Sequence, residues 1–405
     1  MNTTTLDAPI APTPTLREDA SVIGLVGLAH GTSHFSHLLL APLFPIFIRE
    51  FGLSFSDVGF LMSLFFVVSG SGQAVAGFVV DRVGARPVLF AAIALFLLAA
   101  LVASQATGYG GLVGVAALAG LGNAPFHPAD FTILNQRVST ARLGHAFSAH
   151  GLSGNLGWAL APAFLVGIAT ALDWRTAYLA AVGLYALVLV VLFWQRDKLR
   201  TEVVVRHPDA PRGSDLAYLK LPVVWWCFAF FLLSTMTLAV VQSFAPSILK
   251  ALYGVSVEAA TLTLSAYMLC GALGMAVGGF VATHTRHSDR VVALAMSGGA
   301  LLLLVCATGW LGGAGTMAAL AATGFAVGIG GPSRDMMIKK ATPKGATGRV
   351  YGTVYSGLDV GFAISPLVFG AFMDQGWYAT TLSGAAVVLM VSVYAALGVG
   401  RRTAA

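Results

Sequence analysis

Twelve apolar runs recur along this chain, and their length leaves it little choice of fold. They lie at roughly 22–48, 57–80, 88–105, 112–136, 144–169, 175–195, 223–250, 257–282, 291–311, 316–339, 348–372 and 378–399. A helix needs about 20 residues to cross ~30 Å of hydrocarbon, and each run is near that length. Inside a bilayer the backbone finds no water to bond, so a spanning segment satisfies itself as helix. A soluble core is excluded by amount, because 57% of residues are hydrophobic, only 10% are charged and mean hydropathy is +0.82. Cys227, Cys270 and Cys306 lie inside apolar runs without C-x-x-C spacing, which implies neither a disulfide framework nor a zinc site.

A formal charge of +6 would suggest nucleic acid in a soluble protein; here its distribution sets topology instead. Sorting lysines and arginines by alternate sides of twelve spans puts nineteen on one side and Arg49, Arg175 and Lys250 on the other, with Arg334 left inside a span. Both termini are therefore expected in the cytoplasm. Arg196 to Lys220 holds ten charged residues in twenty-five and two prolines, which marks a linker. Residues 1–20 are polar and lack the basic start and short apolar core of a cleavable signal. The expected organisation is a disordered cytoplasmic tail at 1–20, a six-helix bundle at 21–195, a cytoplasmic linker at 196–221, a second six-helix bundle at 222–400 and a short cytoplasmic tail at 401–405.

An internal repeat supports two equivalent halves. Phe51-Gly52 with Ser54, Ala74-Val75 and Gly77-Phe78-Val79 recur 202 residues on as Tyr253-Gly254 with Ser256, Ala276-Val277 and Gly279-Phe280-Val281. The offset then becomes 204, relating Pro128 to Pro332, Gly144 to Gly348, Gly157 to Gly361 and Pro162 to Pro366. Between the second and third runs, Gly77, Asp81, Arg82, Gly84 and Arg86 form a short charged turn, G-x-x-x-D-R-x-G-x-R-P. Gly77 lets two helices approach, Asp81 can face the positive end of a nearby helix, and Gly84 permits the turn. In the second half the charges have gone, since Asp81 and Arg82 correspond to Thr283 and His284.

That turn closely resembles the loop between helices two and three of the major facilitator superfamily. The fold class implied is an all-α integral membrane protein, with twelve transmembrane helices in two parallel pseudo-symmetric bundles and a substrate site at mid-membrane between them. The resemblance also implies that Asp81 anchors the start of helix eleven near Gly348 in the outward-facing state. Phe126-His127-Pro128-Ala129-Asp130, Gly144-His-Ala-Phe147-Ser, Gly154-Asn155-Leu-Gly157, Ala161-Pro162 and His30 fifteen residues before Pro45 resemble the fosmidomycin-resistance branch. Departures include His34, where that branch carries an acid, and no arginine in the outer part of helix four.

Ionisable side chains inside spans are costly and mark pathways by default. His30, His34 and His37 on helix one fall within about 60° of one another over ~10 Å of axis. One histidine on a helix is ordinarily a packing residue; three on one face point to a pathway. His127 and Asp130 follow on helix four, where Pro128 is expected to kink the helix. Arg334 is the repeat equivalent of Asp130, so the two form a candidate gate pair; the alternative pairs Arg334 with Asp359. His150 and Asn155 lie on helix five, and Asp359 occupies the position related to Asn155. The substrate-binding candidates are His30, His34, His127, Asn155 and Arg334, with Gly31, Ser33 and Gly122 leaving room beside them. The proton-coupling candidates are Asp130, His150 and Asp359, and the gating loop comprises Gly77, Asp81, Arg82, Gly84 and Arg86.

Histidines and buried carboxylates can load and release protons, which suits a proton-coupled secondary transporter. Several imidazoles, one arginine and few free acids suit a small organic anion. No Walker string, H-E-x-x-H or G-x-S-x-G motif occurs, so neither ATP drive nor an enzyme is expected, and no cofactor. The partners expected are a small solute, protons and the lipid bilayer of the cytoplasmic inner membrane, with no nucleic acid and a monomeric chain. Alternatives are a drug or antimetabolite efflux antiporter, and a transition-metal or metal-complex transporter built on the helix-one histidines. Against the metal reading, Met236 and Met268 appear isolated from any ligand partner; no structural metal is expected.

Overall fold

The structure, a computed structural model, describes residues 14–53, 55–203 and 216–403. Residues 1–13 of the expected tail, 204–215 of the expected linker with Arg206, His207 and Arg212, Ser54 of the repeat, and 404–405 lie outside them. Among the described residues the chain is helical without strands. The helices are α1 (Leu16–His37), α2 (Phe44–Phe51), α3 (Phe55–Val83), α4 (Ala85–Ser104), α5 (Tyr109–Asn123), α6 (Phe126–Arg137), α7 (Leu143–Ala171), α8 (Trp174–Trp194), α9 (Pro222–Tyr253), α10 (Val257–His284), α11 (Ser288–Ala307), α12 (Gly312–Ala341), α13 (Thr347–Asp374) and α14 (Tyr378–Thr403).

Ten of these helices are individually long and apolar enough to span a membrane. The other two spans of the twelve-helix fold are each broken into two pieces. The first breaks after His37 and resumes through the short turn Ala41–Leu43 into α2, with a proline opening each of these two pieces. The fourth breaks between α5 and α6 at Ala124 and Pro125. The break lies where the expected kink at Pro128 would put it, because a proline there cannot donate to the Ala124 carbonyl four residues back, and Pro125 removes a second donor.

The expected tail is shorter than 20 residues, because Leu16 already begins α1. Thr15 and Glu18 form a reciprocal capping box, with Thr15 N donating to Glu18 Oε2 at 2.7 Å. Asp19 is buried and accepts from Ser139 and Arg142 at the start of α7. Burial opposes ionisation there, but those donors outweigh it and hold the Asp19 carboxyl below its usual range.

α3 passes to α4 through Gly84 alone, at φ +87°, a value only glycine adopts without strain. Thr201 Oγ1 accepts from Ala85 N at 2.9 Å, and Arg86 reaches the Arg196 carbonyl at 3.4 Å, so the segment after α8 folds back on this turn.

Helices from the two ends of the chain meet along two seams, α3 against α13 and α7 against α10. On the side that carries both termini the repeat glycines meet crosswise. A Cβ on Gly77 would fall 2.7 Å from the Gly348 carbonyl carbon, and one on Gly144 would fall 3.0 Å from Thr283 N and 3.1 Å from the Gly279 oxygen. Without a hydrophobic drive between helices in lipid, such backbone approach supplies the packing. Among the described residues at this end, the first seam adds charge: Asp81 accepts from Gly348 N at 2.8 Å, Arg349 N at 3.2 Å and Arg349 Nε at 2.8 Å. The carboxylate thus caps the open amides at the start of α13.

Candidate functional site

A cavity of about 160 Å³ lies between α1, α6 and α7 on one wall and α9, α10, α12 and α13 on the other. Five of the nine histidines in the chain line it: His30, His34, His37, His127 and His150. On the terminal side it is floored by stacked rings, Phe131 on Tyr351 at 4.5 Å and His127 on Tyr355 at 4.2 Å.

Asp130 is fully buried, and one of its oxygens serves two imidazoles. Its Oδ2 lies 3.1 Å from His30 Nδ1 and 3.2 Å from His150 Nε2, while the rings of His30 and His150 stack at 3.5 Å. Asp130 Oδ1 is buried without a hydrogen-bond partner among the described residues, and so is His34 Nδ1. The expected neighbours Asp130 and His150 are therefore in contact, and His30 joins them.

The expected gate pair does not form. Arg334 donates to the carboxylate of its own neighbour, Asp335, at 2.9 and 3.1 Å, and its guanidinium lies 4.6 Å from the centroid of the Phe231 ring. Tyr355 OH donates to the same carboxylate at 2.7 Å. An adjacent acid satisfies the arginine fork in place, so nothing draws it across the cavity. The alternative partner, Asp359, is also taken. It accepts from Gln73 Nε2 at 2.8 Å and from Ser69 Oγ at 3.4 Å across the α3–α13 seam.

Asp359 joins two branches of one polar network. Gln73 passes to His127, whose Nδ1 lies 2.6 Å from Gln73 Oε1. Because the Gln73 amide nitrogen is spent on Asp359, its oxygen is the acceptor and His127 Nδ1 carries the proton. Ser69 accepts from Asn123 Nδ2 at 2.8 Å, and Asn123 Oδ1 accepts from Ser33 at 2.6 Å and from His37 Nε2 at 2.9 Å. Trp158 Nε1 donates to His37 Nδ1 at 3.3 Å. Both nitrogens of His37 are thus engaged, which makes it a packing residue.

Of the remaining candidates, Asn155 lines the cavity with its amide 3.7 Å from the Met275 sulfur. Room beside His34 comes from Gly154, where a Cβ would fall 2.7 Å from His34 Nδ1; Gly31 and Gly122 instead pack against Ser153 and Phe96. Of the two methionines expected to be isolated, Met268 lines the cavity together with Met275 and Met296, while Met236 does not. Sequence reasoning passed over Gln73, Asn123 and Trp158. Lone amides inside apolar runs were the available signal for the first two.

A model of the Major Facilitator Superfamily matches residues 26–318 and 240–404. The fosmidomycin resistance protein of Escherichia coli is 24% identical over 277 residues, 66% of each chain. The probable nitrate/nitrite transporter NarK2 of Mycobacterium tuberculosis is 26% identical over 369 residues, 89% of this chain and 91% of the relative. The hexuronate transporter of Bacillus subtilis is 22% identical over 404 residues, 95% and 94% of the two chains. Among solved structures, FucP in its outward conformation superposes with a TM-score of 0.75 at 15% identity, covering 93% of this chain and 98% of that one.

Proposed function

From the premise that the chain belongs to the Major Facilitator Superfamily and is a secondary transporter, we propose that it carries a small anionic solute together with protons by alternating access. The observation that carries the reading is the Asp130 carboxylate shared by His30 and His150 on the cavity wall. Imidazole is the side chain whose ordinary titration lies nearest neutrality. A proton taken by this trio makes the wall more positive and favours an anion beside it; its loss to the other side favours release. The cavity is smaller than the ~300–1,000 Å³ of drug-sized sites, which suits a small solute. Two relatives are named for anions, nitrate/nitrite and hexuronate.

In this reading His30, His34, His127 and Asn155 contact the solute. Arg334, neutralised by Asp335, contributes shape and a partial charge. Asp130 and His150 carry the proton, and Asp359 links the solute site to the α3–α13 seam. The six-helix units at 21–195 and 222–400 rock about that seam, with Gly77, Asp81, Arg82, Gly84 and Arg86 closing the terminal side. The chain lies as a monomer in the inner membrane with both termini cytoplasmic. Drug efflux is the second reading, favoured by the likeness to the fosmidomycin resistance protein.

Purified protein in proteoliposomes tests this with labelled nitrate and a hexuronate. Counterflow of at least one is expected, with accumulation when an inward proton gradient is imposed. Asp130→Asn is expected to keep counterflow and lose gradient-driven accumulation. Unchanged accumulation in Asp130→Asn would remove the proton role, and counterflow of labelled fosmidomycin with neither anion would favour efflux.

A further inference from the structure

Two histidines on the cavity wall have one ring nitrogen fixed from behind and the other free, and a third has a buried nitrogen with no partner. His30 Nδ1 is held by Asp130 at 3.1 Å, and His127 Nδ1 by Gln73 at 2.6 Å. His34 Nδ1 is the buried orphan. One nitrogen of each of the three imidazoles lies within 4.8 Å of the others. From this arrangement we propose that His30, His34 and His127 form a preorganised site for a divalent first-row transition cation, one that imidazole suits, such as Ni²⁺, Co²⁺, Zn²⁺ or Cu²⁺.

Histidines that bind metals ordinarily give their second N–H to a carboxylate or carbonyl, which fixes tautomer and ring orientation and raises the basicity of the ligating nitrogen. His30 with Asp130 and His127 with Gln73 have that form. Metal–nitrogen bonds of ~2.0–2.1 Å put tetrahedral ligands roughly 3.3 Å apart, so the three rings need only close inward from their present spacing. Gly154 supplies the space for that movement, because a larger residue there would press on His34 Nδ1 and His30 Nε2. The second grouping, His30, Asp130 and His150, is a weaker candidate. Its members already bond one another, so a cation would have to displace those contacts. The site does not depend on the solute being an anion, and its test reads the metal alone.

The Trp158 ring lies 4.2 Å from His34 and serves as a built-in reporter. The experiment is titration of the full chain in detergent, with any affinity tag removed, by Ni²⁺, Co²⁺ and Cu²⁺, following tryptophan fluorescence and calorimetry in parallel. Saturable quenching at one equivalent is expected. Trp158→Phe should remove most of the quenching while calorimetry still reads one equivalent. His34→Ala and His127→Ala should each weaken binding at least tenfold, and Asp130→Asn by about 10- to 100-fold through the lost support of His30. The exposed histidines provide the control, so His284→Ala and His287→Ala should leave the affinity unchanged. Should His34→Ala lose its wild-type melting temperature without metal, His34→Gln takes its place. Quenching that does not saturate, or that survives both His34 and His127 replacements, would overturn the site.

Discussion

At the level of single residues, the site is a set of polar groups in which most hydrogen bonds are made, while Asp130 Oδ1 and His34 Nδ1 are buried without a partner among the described residues. If His34 and His127 contact an anion in their protonated forms, each loses a charge-assisted bond on truncation, worth about 1.5–3 kcal/mol or roughly ten- to a hundredfold in affinity. His34→Ala and His127→Ala should therefore weaken anion binding most at low pH, measured as affinity against pH between about 5.5 and 8. His37→Ala should change affinity less, because both nitrogens of His37 are already spent. A second expectation concerns Arg334. Asp335→Asn leaves the half-buried Arg334 guanidinium without its carboxylate and should destabilise the protein by less than the ~3–5 kcal/mol of a fully buried pair, with Arg334→Gln recovering part of that in the double variant. Neutralising Asp130 and Arg334 together should give additive losses, read as thermal stability in detergent. The histidines, Asp130 and Arg334 were legible in the sequence as ionisable groups inside spans. Their partners were not, because a spacing of 204 residues relates Asp130 to Arg334 by symmetry, and symmetry gives equal depth without a direction for either side chain.

Among the helices, the approach of α3 to α13 depends on the absence of side chains where they cross. Gly77→Val would drive a branched side chain into the Gly348 carbonyl and the Arg349 Cα, so the terminal side could not close as it does here. The expected outcome is intact protein with transport lost, and a cysteine at Lys344 more reactive toward a thiol reagent applied from the terminal side. Asp81→Ala leaves the packing and removes the cap on α13 together with the ion pair to Arg349. It should shift the balance of states by about 0.3–2 kcal/mol, slowing transport while the protein remains folded in the membrane. Helix lengths and ends were read from the sequence to within a few residues, because hydropathy measures the same lipid that fixes them. The break in the first span was not, because a run of apolar residues reads the same whether it is straight or bent. In the fourth span Pro125 and Pro128 remove two backbone donors three residues apart, so the break falls just ahead of α6.

Over the whole molecule, the topology derived from charge makes one direct prediction. A cysteine at Gly108, between α4 and α5, should react with an impermeant reagent from outside intact cells, and one at Lys344 should not. Reaction at both positions would break the twelve-span arrangement. Two features legible in the sequence, the repeat and its decay from Asp81 to Thr283, also set the energetics of the assembled halves. The seam between α7 and α10 closes on backbone contact at Gly144, Gly279 and Thr283 and on the hydrogen bond from Ser148 to the Met275 carbonyl, while its twin carries a charged bolt at Asp81. A bolt of about 0.3–2 kcal/mol multiplies the closed population by roughly 2- to 30-fold, and a second one like it would square that factor. A carrier that must visit both states at comparable rates is therefore served by one fastening. The door is bolted by charge along one edge and only latched along the other, where Ser148 donates to the Met275 carbonyl at 2.7 Å.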